Sequence, residues 1–193
     1  MLIKDTQYFD VLVWYFYTSW FWQIYPEIES SEKIRILIGI STNREVYTTI
    51  QQSLILSHSE IKNIYSEKVC DEIEWIKESE KVEQWINIFI DWLRSGKLEI
   101  RAYPSEKIHA KVYIMSFHKD DRDVGRVITG SSNFTASGLR DNIEFNVELK
   151  NRSDYEYAKA KFEELWISWV DVSEKYIETI EKKTWLNQTI TPY

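Results

Sequence analysis

The residues whose types and spacing could do chemistry lie in the second half of the chain. His109 and Lys111 belong to an alternating stretch that predicts a β-strand over residues 108–117. Successive side chains of a strand point to opposite faces, so these two should project side by side. Further along, the sequence GSSN at 130–133 predicts a turn whose small polar residues bring N–H groups and hydroxyls close to an anion. Together these residues predict a site that binds a negatively charged group.

A second alternating segment covers residues 142–150 and predicts another strand. The polar residues of one face are Asn142, Glu144, Asn146 and Glu148. The apolar residues of the other face are Ile143, Phe145, Val147 and Leu149. Four polar side chains in a row are costly to bury or to place in a cleft unless they have partners. This row therefore predicts partners of complementary polarity.

Strand-like and helix-like periods alternate along the chain, which predicts an α/β domain. The remaining predicted strands cover residues 9–17, 33–40, 97–103 and 127–130. The segment KIRILIGI at 33–40 is apolar on both faces apart from Lys33 and Arg35, as in an interior strand. We therefore predict a mixed sheet of about six or seven strands sandwiched between helices.

Amphipathic segments predict the helices that cover this sheet. A capping box at Thr42 and Glu45 opens one helix, and Gly96 ends another that occupies residues 82–93. Ser153 and Glu156 form a capping box for a third helix, and residues 172–180 predict a fourth. Residues 57–79 predict helix and loop. The tryptophans of the 82–93 stripe are typical of core packing and not of a base-stacking platform.

The bulk composition limits the class of protein. With 193 residues, 44% of them hydrophobic, 5 Gly and 3 Pro, the chain predicts one domain over 1–193. A net charge of -7 means that any phosphate-binding patch must be local. The sole cysteine, Cys70, fits a reducing compartment and so the cytoplasm. No uncharged stretch reaches the ~20 residues of a membrane span. The histidines and the cysteine lack zinc-ligand spacing, so we predict no metal and no cofactor.

The order His109-x-Lys111, Gly130-Ser131-x-Asn133 and Glu144 resembles the signature of the phospholipase D superfamily, in its single-motif nuclease branch. The phrases IHAKVYIM, VITGSSNFTASGL, NIEFNVEL and FEELW are similar to the phospholipase D-like domain that begins large bacterial superfamily II helicases and helicase-like restriction proteins. The resemblance covers nearly the whole chain, which would then be an N-terminal fragment or a stand-alone version. One departure is Ser116, where the family motif has an Asp.

The resemblance implies a mechanism. His109 attacks phosphorus to form a phosphohistidine, without a metal, and Glu144 holds the Nδ1–H of the imidazole. Lys111, Ser131 and Asn133 bind the phosphate oxygens. The chain has a single H-x-K motif, so it supplies half a site, and the His109 of a second copy protonates the leaving oxygen. The resemblance therefore implies a homodimer.

Two functions of different classes remain open at this point. One is a DNA endonuclease in restriction or repair that works with a helicase, and the other is a catalytically silent module for DNA binding or dimerisation. The intact catalytic set favours the first, with RNA as an open alternative substrate. A lipid phospholipase is less favoured, because no membrane-binding amphipathic segment is apparent. His58 and His118 are expected to be structural. Arg126 and Arg140 either contact the nucleic-acid backbone or are solvated.

Overall fold

The computed structural model describes residues 2–14, 16, 18–39, 80–103, 110–119, 123–131, 145–168, 170–174 and 177. Within these residues the strands are β1 (Tyr8–Val13), β2 (Lys33–Gly39), β3 (Leu98–Tyr103), β4 (Val112–Ser116), β5 (Gly125–Gly130), β6 (Asn146–Leu149) and β7 (Val170–Asp171). The helices are α1 (Thr18–Ile28), α2 (Glu80–Arg94) and α3 (Arg152–Ile167), after a 3-10 helix at Leu2–Asp5.

The strands of the described residues form one seven-stranded sheet in the order β6-β5-β4-β1-β2-β3-β7. The pairs β1–β2 and β2–β3 are parallel, and every other pair is antiparallel. The strand predicted as interior, β2, lies between β1 and β3. The predicted α/β class and mixed sheet are therefore confirmed.

Alternation along the strands divides the core between the two faces of the sheet. One face carries Phe9, Ile36 and Ile100, which pack with Phe21 of α1 and Phe89 of α2. The other carries a smaller apolar cluster against α3: Leu12, Leu37, Ile114, Val127, Phe162 and Trp166. Helices thus cover both faces, as predicted. Full burial of each large apolar side chain stabilises the fold by about 1.5–3 kcal/mol.

Charged groups join α3 to the centre of the sheet, and we call Asp10, Arg35, Lys159 and Glu163 the anchor network. Asp10 is 1% exposed, yet it lies in the middle of β1. Arg35 of β2 donates to both Asp10 oxygens, at 2.6 and 2.9 Å, and to both Glu163 oxygens, at 3.0 and 2.5 Å. Lys159 also donates to Asp10. Two cations and two carboxylates therefore neutralise one another between the sheet and the helix.

Several predicted boundaries differ from the structure. The capping box at Ser153 and Glu156 is wrong, because α3 has Asn151 as its N-cap and no side-chain cap hydrogen bond. Val172 was predicted as helical, but it directly follows β7 and its N–H bonds to the carbonyl of Ile100 at 3.0 Å. Both errors arise where local spacing competes with tertiary contacts.

Other boundaries are confirmed or lie outside the described residues. The helix predicted to end at Gly96 is α2, and Gly96 has the positive φ of 72° that suits a helix terminus. Within the described residues, the strands predicted at 108–117 and 142–150 are seen as β4 and β6. Residues 108–109 and 142–144 lie outside the described part of the chain. The predictions for 42–54, 57–79 and most of 172–180 fall outside the described part of the chain.

Candidate active site

The described residues contain two of the predicted site residues, Lys111 and Ser131. His109, Asn133 and Glu144 lie outside them. The sheet register shows where these two residues lie. Val112 of β4 pairs with Thr129 of β5, and Gly130 of β5 pairs with Asn146 of β6. Lys111, Ser131 and Phe145 therefore sit at one end of three adjacent strands.

Hydrogen bonds connect these three residues, which we call the strand-end corner. The Lys111 Nζ donates to the Ser131 carbonyl at 2.6 Å. Ser131 N–H donates to the Phe145 carbonyl at 3.0 Å, and Phe145 N–H donates back to the Ser131 Oγ at 2.9 Å. The cation of Lys111 is thus held beside the end of β5, next to the turn predicted to bind an anion.

Gly130 permits this close approach of β6 to β5. A Cβ at Gly130 would lie 2.1 Å from the Phe145 carbonyl oxygen and 2.7 Å from the Asn146 Cα. Both are backbone atoms, which cannot move without displacing the strand. The sequence predicts Gly130 as the last residue of a strand and the first residue of the turn at 130–133. The structure confirms it as the last residue of β5 and shows that strand packing requires it.

The predicted alternation of β4 and β6 is seen in the described residues. Ala110, Val112 and Ile114 pack in the cluster against α3, whereas Tyr113 packs in the core on the opposite face. Leu149 also packs toward α3. Lys111 and Tyr113 belong to the same alternating set, so Lys111 lies on the face opposite α3. This is the face that the sequence predicts His109 to share.

One member of the polar row, Glu148 of β6, has a partner in Arg126 of β5. Arg126 Nη1 donates to the Glu148 Oε1 at 2.5 Å, and the same guanidinium donates to Asp123. Hydrogen bonding to Asp123, and then to Glu148, raises the pKa of Arg126 above its usual value. The hydrogen bond from Arg126 lowers the pKa of Glu148. Two carboxylates therefore occupy Arg126, which makes it a weaker candidate for a nucleic-acid contact.

Ser116, which stands where the family motif has an Asp, lies at the far end of β4. It lies five positions after Lys111, about 17 Å away at the usual rise per residue. Ser116 is buried and accepts a hydrogen bond from the Tyr155 hydroxyl of α3 at 2.7 Å. A Cβ at the neighbouring Gly125 would lie 2.3 Å from the Tyr155 ring. The departure at Ser116 thus affects the docking of α3 and not the strand-end corner.

Two cavities lie away from Lys111. A cavity of about 590 Å³ is lined by Leu93, Arg94, Gly96, Glu99, Asp171, Ser173, Glu174 and Ile177. An apolar cavity of about 270 Å³ separates β5 and β6 from α3, with Thr129, Leu149 and Tyr157 in its lining. Lys111 and Ser131 line neither of these two cavities.

The described residues contain no group of three or more His, Cys, Asp or Glu side chains arranged to hold a metal ion. Among the helices of the described segments, none has the length and apolarity needed to cross a membrane.

His118 is exposed, and it contributes to lowering the pKa of Glu32, after the hydrogen bonds that Glu32 accepts from Gln7 and Tyr8.

The structure thus combines a mixed α/β sheet with a lysine held at the end of three adjacent strands. Residues 24–166 match the family model described as "Cardiolipin synthase, PLD-like domain". The chain belongs to this family of phospholipase D-like domains. The match confirms the phospholipase D part of the resemblance seen in the sequence, and with it the predicted enzyme class, a phospholipase D-like phosphodiester hydrolase. The likeness to helicase-associated domains stays a prediction.

Solved structures of similar architecture share little sequence with this chain. Nuc of Salmonella typhimurium, a phospholipase D family member, is 15% identical, with 88% of this chain and 85% of Nuc covered and a TM-score of 0.49. NucT from Helicobacter pylori is 13% identical, with coverages of 88% and 85% and a TM-score of 0.46. The archaeal chromatin protein TrmBL2 is 16% identical, with coverages of 89% and 48% and a TM-score of 0.44. No curated protein matches the chain significantly.

Proposed function

We propose that the chain is a metal-independent endonuclease that cleaves DNA through a phosphohistidine on His109. The observation that supports this most directly is the strand-end corner. His109 lies two residues before Lys111, Asn133 lies two residues after Ser131, and Glu144 is bonded to Phe145. Lys111 and Phe145 are each hydrogen-bonded to Ser131. Each of the three proposed catalytic residues is therefore at most two positions in sequence from a residue of the strand-end corner.

The proposed reaction has two steps. The neutral His109 Nε2 attacks phosphorus, a P–N bond forms, and the bond from phosphorus to the leaving oxygen breaks while a second imidazole protonates that oxygen. Water then attacks the phosphohistidine, the same second imidazole takes its proton, and the P–N bond breaks. Glu144 fixes the Nδ1–H tautomer and stabilises the imidazolium.

Lys111 is suited to hold the phosphate during both steps. An ammonium group has three donors, and the Ser131 carbonyl takes one of them at 2.6 Å. Two donors can therefore serve nonbridging oxygens while the carbonyl keeps the side chain in place. Asn133 and the turn at 130–133 are proposed to add the remaining donors.

The second imidazole is proposed to come from another copy of the chain. A two-fold dimer supplies it because an isologous interface places each residue opposite its own copy. The two His109 rings would then flank one phosphate. We also propose, from the sequence resemblance and the single Cys70, that this one domain acts in the cytoplasm with a helicase in restriction or repair.

The test is cleavage of single- and double-stranded DNA and RNA by the purified chain in EDTA. We expect DNA cleavage in chelator and a loss of turnover of at least about 1000-fold in His109→Ala. The matched control is His118→Ala, which removes an exposed histidine and should keep full activity. Sedimentation should show a dimer.

Two outcomes would contradict the proposal. Strict dependence on added Mg²⁺ or Mn²⁺ would exclude the metal-independent route. Wild-type turnover in His109→Ala would exclude the nucleophile, and with no cleavage of any nucleic acid the silent binding module would replace the enzyme.

A further inference from the structure

The strand-end corner carries an exposed aromatic ring that the proposed chemistry does not use. Phe145 is 77% exposed, although it lies directly beside the well-ordered pairing of β5 and β6. A phenylalanine in water forgoes the stabilisation that burial would bring. Its position next to Ser131 makes a role in binding a more specific explanation than chance exposure.

The backbone of Phe145 is held at two points. Its N–H bonds to the Ser131 Oγ at 2.9 Å, and its carbonyl accepts the Ser131 N–H at 3.0 Å. Gly130 brings the strands together at this point. Lys111 bonds to the same Ser131. Strand alternation places Lys111 on the face opposite α3 and Phe145 on the face of Val147 and Leu149, so the two side chains flank the rim of the sheet at Ser131.

Apolar surface continues from Phe145 along β6. Val147 is 39% exposed, and Tyr157 of α3 is 68% exposed. Tyr157 lines the same cavity as Thr129, which is the cross-strand partner of Val147. We call Phe145, Val147 and Tyr157 the β6 patch.

We infer that Phe145 stacks on a nucleobase of the substrate strand next to the phosphate held by Lys111. This inference rests on the proposed nuclease function and specifies its substrate as nucleic acid with unpaired bases at the cleavage site. Stacking needs a free base face, which a paired duplex does not offer. Phosphate and base would lie on either side of Ser131, at the rim of the sheet.

The charge of the protein favours this occupant. With a net charge of -7, the chain cannot draw its affinity from counterion release over a wide basic surface. One lysine can position a phosphate but adds little binding across a long backbone. Aromatic stacking adds affinity that does not depend on net charge, and it tolerates any base sequence.

The experiment compares the binding of two labelled oligonucleotides by fluorescence anisotropy. One is single-stranded oligo-dT, and the other has the same number of phosphates but abasic sites in place of the bases. Binding is measured in a His109→Ala background to prevent cleavage. The variants are Phe145→Leu, which keeps an apolar side chain but has no ring face, and Phe145→Trp, which keeps the ring.

We expect Phe145→Leu to bind oligo-dT roughly 10-fold more weakly and Phe145→Trp to bind it at least as well as Phe145 does. The protein with Phe145 and the two variants should bind the abasic strand with equal affinity. The matched control is Ile167→Ala, since Ile167 is also a large exposed hydrophobic residue, 81% exposed, near the C-terminal end of α3, and it should change neither affinity.

The inference is overturned if Phe145→Leu binds oligo-dT as tightly as the parent protein does, or if it loses as much affinity for the abasic strand as for oligo-dT. It is also overturned if Phe145→Leu loses its dimer in sedimentation. The last would make the β6 patch an interface between copies. Binding to vesicles of anionic phospholipid through Phe145, with no binding of oligo-dT, would also overturn it. If the wild type binds oligo-dT through Phe145 yet cleaves nothing, the proposed nuclease fails while the stacking role stands.

Discussion

The anchor network and the strand-end corner lie on the same sheet but use charge in opposite ways. In the anchor network, Asp10 is 1% exposed and every carboxylate faces a cation, so no charge remains for a ligand. In the strand-end corner, the hydrogen bond described for Lys111 goes to the neutral carbonyl of Ser131. The difference shows that neutralised charges join α3 to the sheet, while the charge at the strand end is paired only with a carbonyl dipole, as the proposed phosphate site requires.

The largest expected effect is on the stability of the anchor network. Asp10→Ala leaves Arg35 and Lys159 without their buried acceptor, and removal of one partner from a buried ion pair costs about 3–5 kcal/mol. Urea denaturation measures the change in the free energy of unfolding. The control is Arg152→Ala, which breaks an exposed pair with Glu156 and should cost about 0.5 kcal/mol or less. Equal costs for the two variants would remove the distinction between buried and exposed charge.

The next effect concerns chemistry at the corner. Glu144→Gln should slow turnover by roughly 100-fold, because it removes the charge proposed to orient His109, and should leave substrate binding nearly intact. Lys111→Ala should weaken both binding and turnover, because it removes a phosphate contact. Steady-state kinetics on a DNA substrate separate the two, with Lys119→Ala as the control for loss of an exposed lysine. A purely structural role for Glu144 would instead change the melting temperature with turnover per folded molecule unchanged.

Gly130→Ala tests whether strand spacing controls the corner. The added Cβ meets the β6 backbone, so we expect a loss of about 1–3 kcal/mol in stability and a fall in turnover as β6 moves. Gly96→Ala is the matched control: its φ of 72° makes alanine strained there, but the nearest atom to its Cβ is the Lys33 Nζ at 3.9 Å. That variant should lose stability without losing activity. Normal activity in Gly130→Ala would show that the corner tolerates a wider spacing.

The smallest effect is the dependence of stability on acid. The hydrogen bond from Arg35 is the main cause that lowers the pKa of Glu163 below its usual value. A carboxylate with a lowered folded-state pKa contributes stability that is complete above its unfolded pKa, about 4.3. The contribution is lost as pH falls through the lower folded-state pKa. Glu163 is partly exposed, so solvent screening keeps the effect small. Urea midpoints between pH 6 and pH 3 should fall less steeply in Glu163→Gln than in the wild type.

Local patterns predicted the elements that depend on local geometry. Alternation of apolar and polar residues predicted β4 and β6, because side-chain direction along a strand has a period of two. A segment apolar on both faces predicted β2 as an interior strand. Gly96 predicted the end of α2, because a positive φ is accessible to glycine at little cost. The H-x-K and GSSN motifs predicted the family, which the match over 24–166 confirms. The roles of His109, Asn133 and Glu144 stay predictions.

Other features depend on contacts between distant parts of the chain. Helix α1 was missed because Thr18–Ile28 contains Pro26 and follows an aromatic run typical of a strand. Arg35 and Glu163 are separated by 128 positions, and no local spacing connects them. The need for glycine at 130 appears only when β6 lies beside β5.

The sequence by itself determined the α/β class, most strand positions and the family of this protein, because these follow from short-range periodicity and from a motif. Only the tertiary structure decided that Asp10 is neutralised inside the fold, that Arg126 is occupied by two carboxylates, and that Lys111 and Phe145 meet at Ser131. The physical reason is that a charge or a ring takes its role from what packs against it, and strand pairing across the sheet brings those partners together from distant parts of the chain.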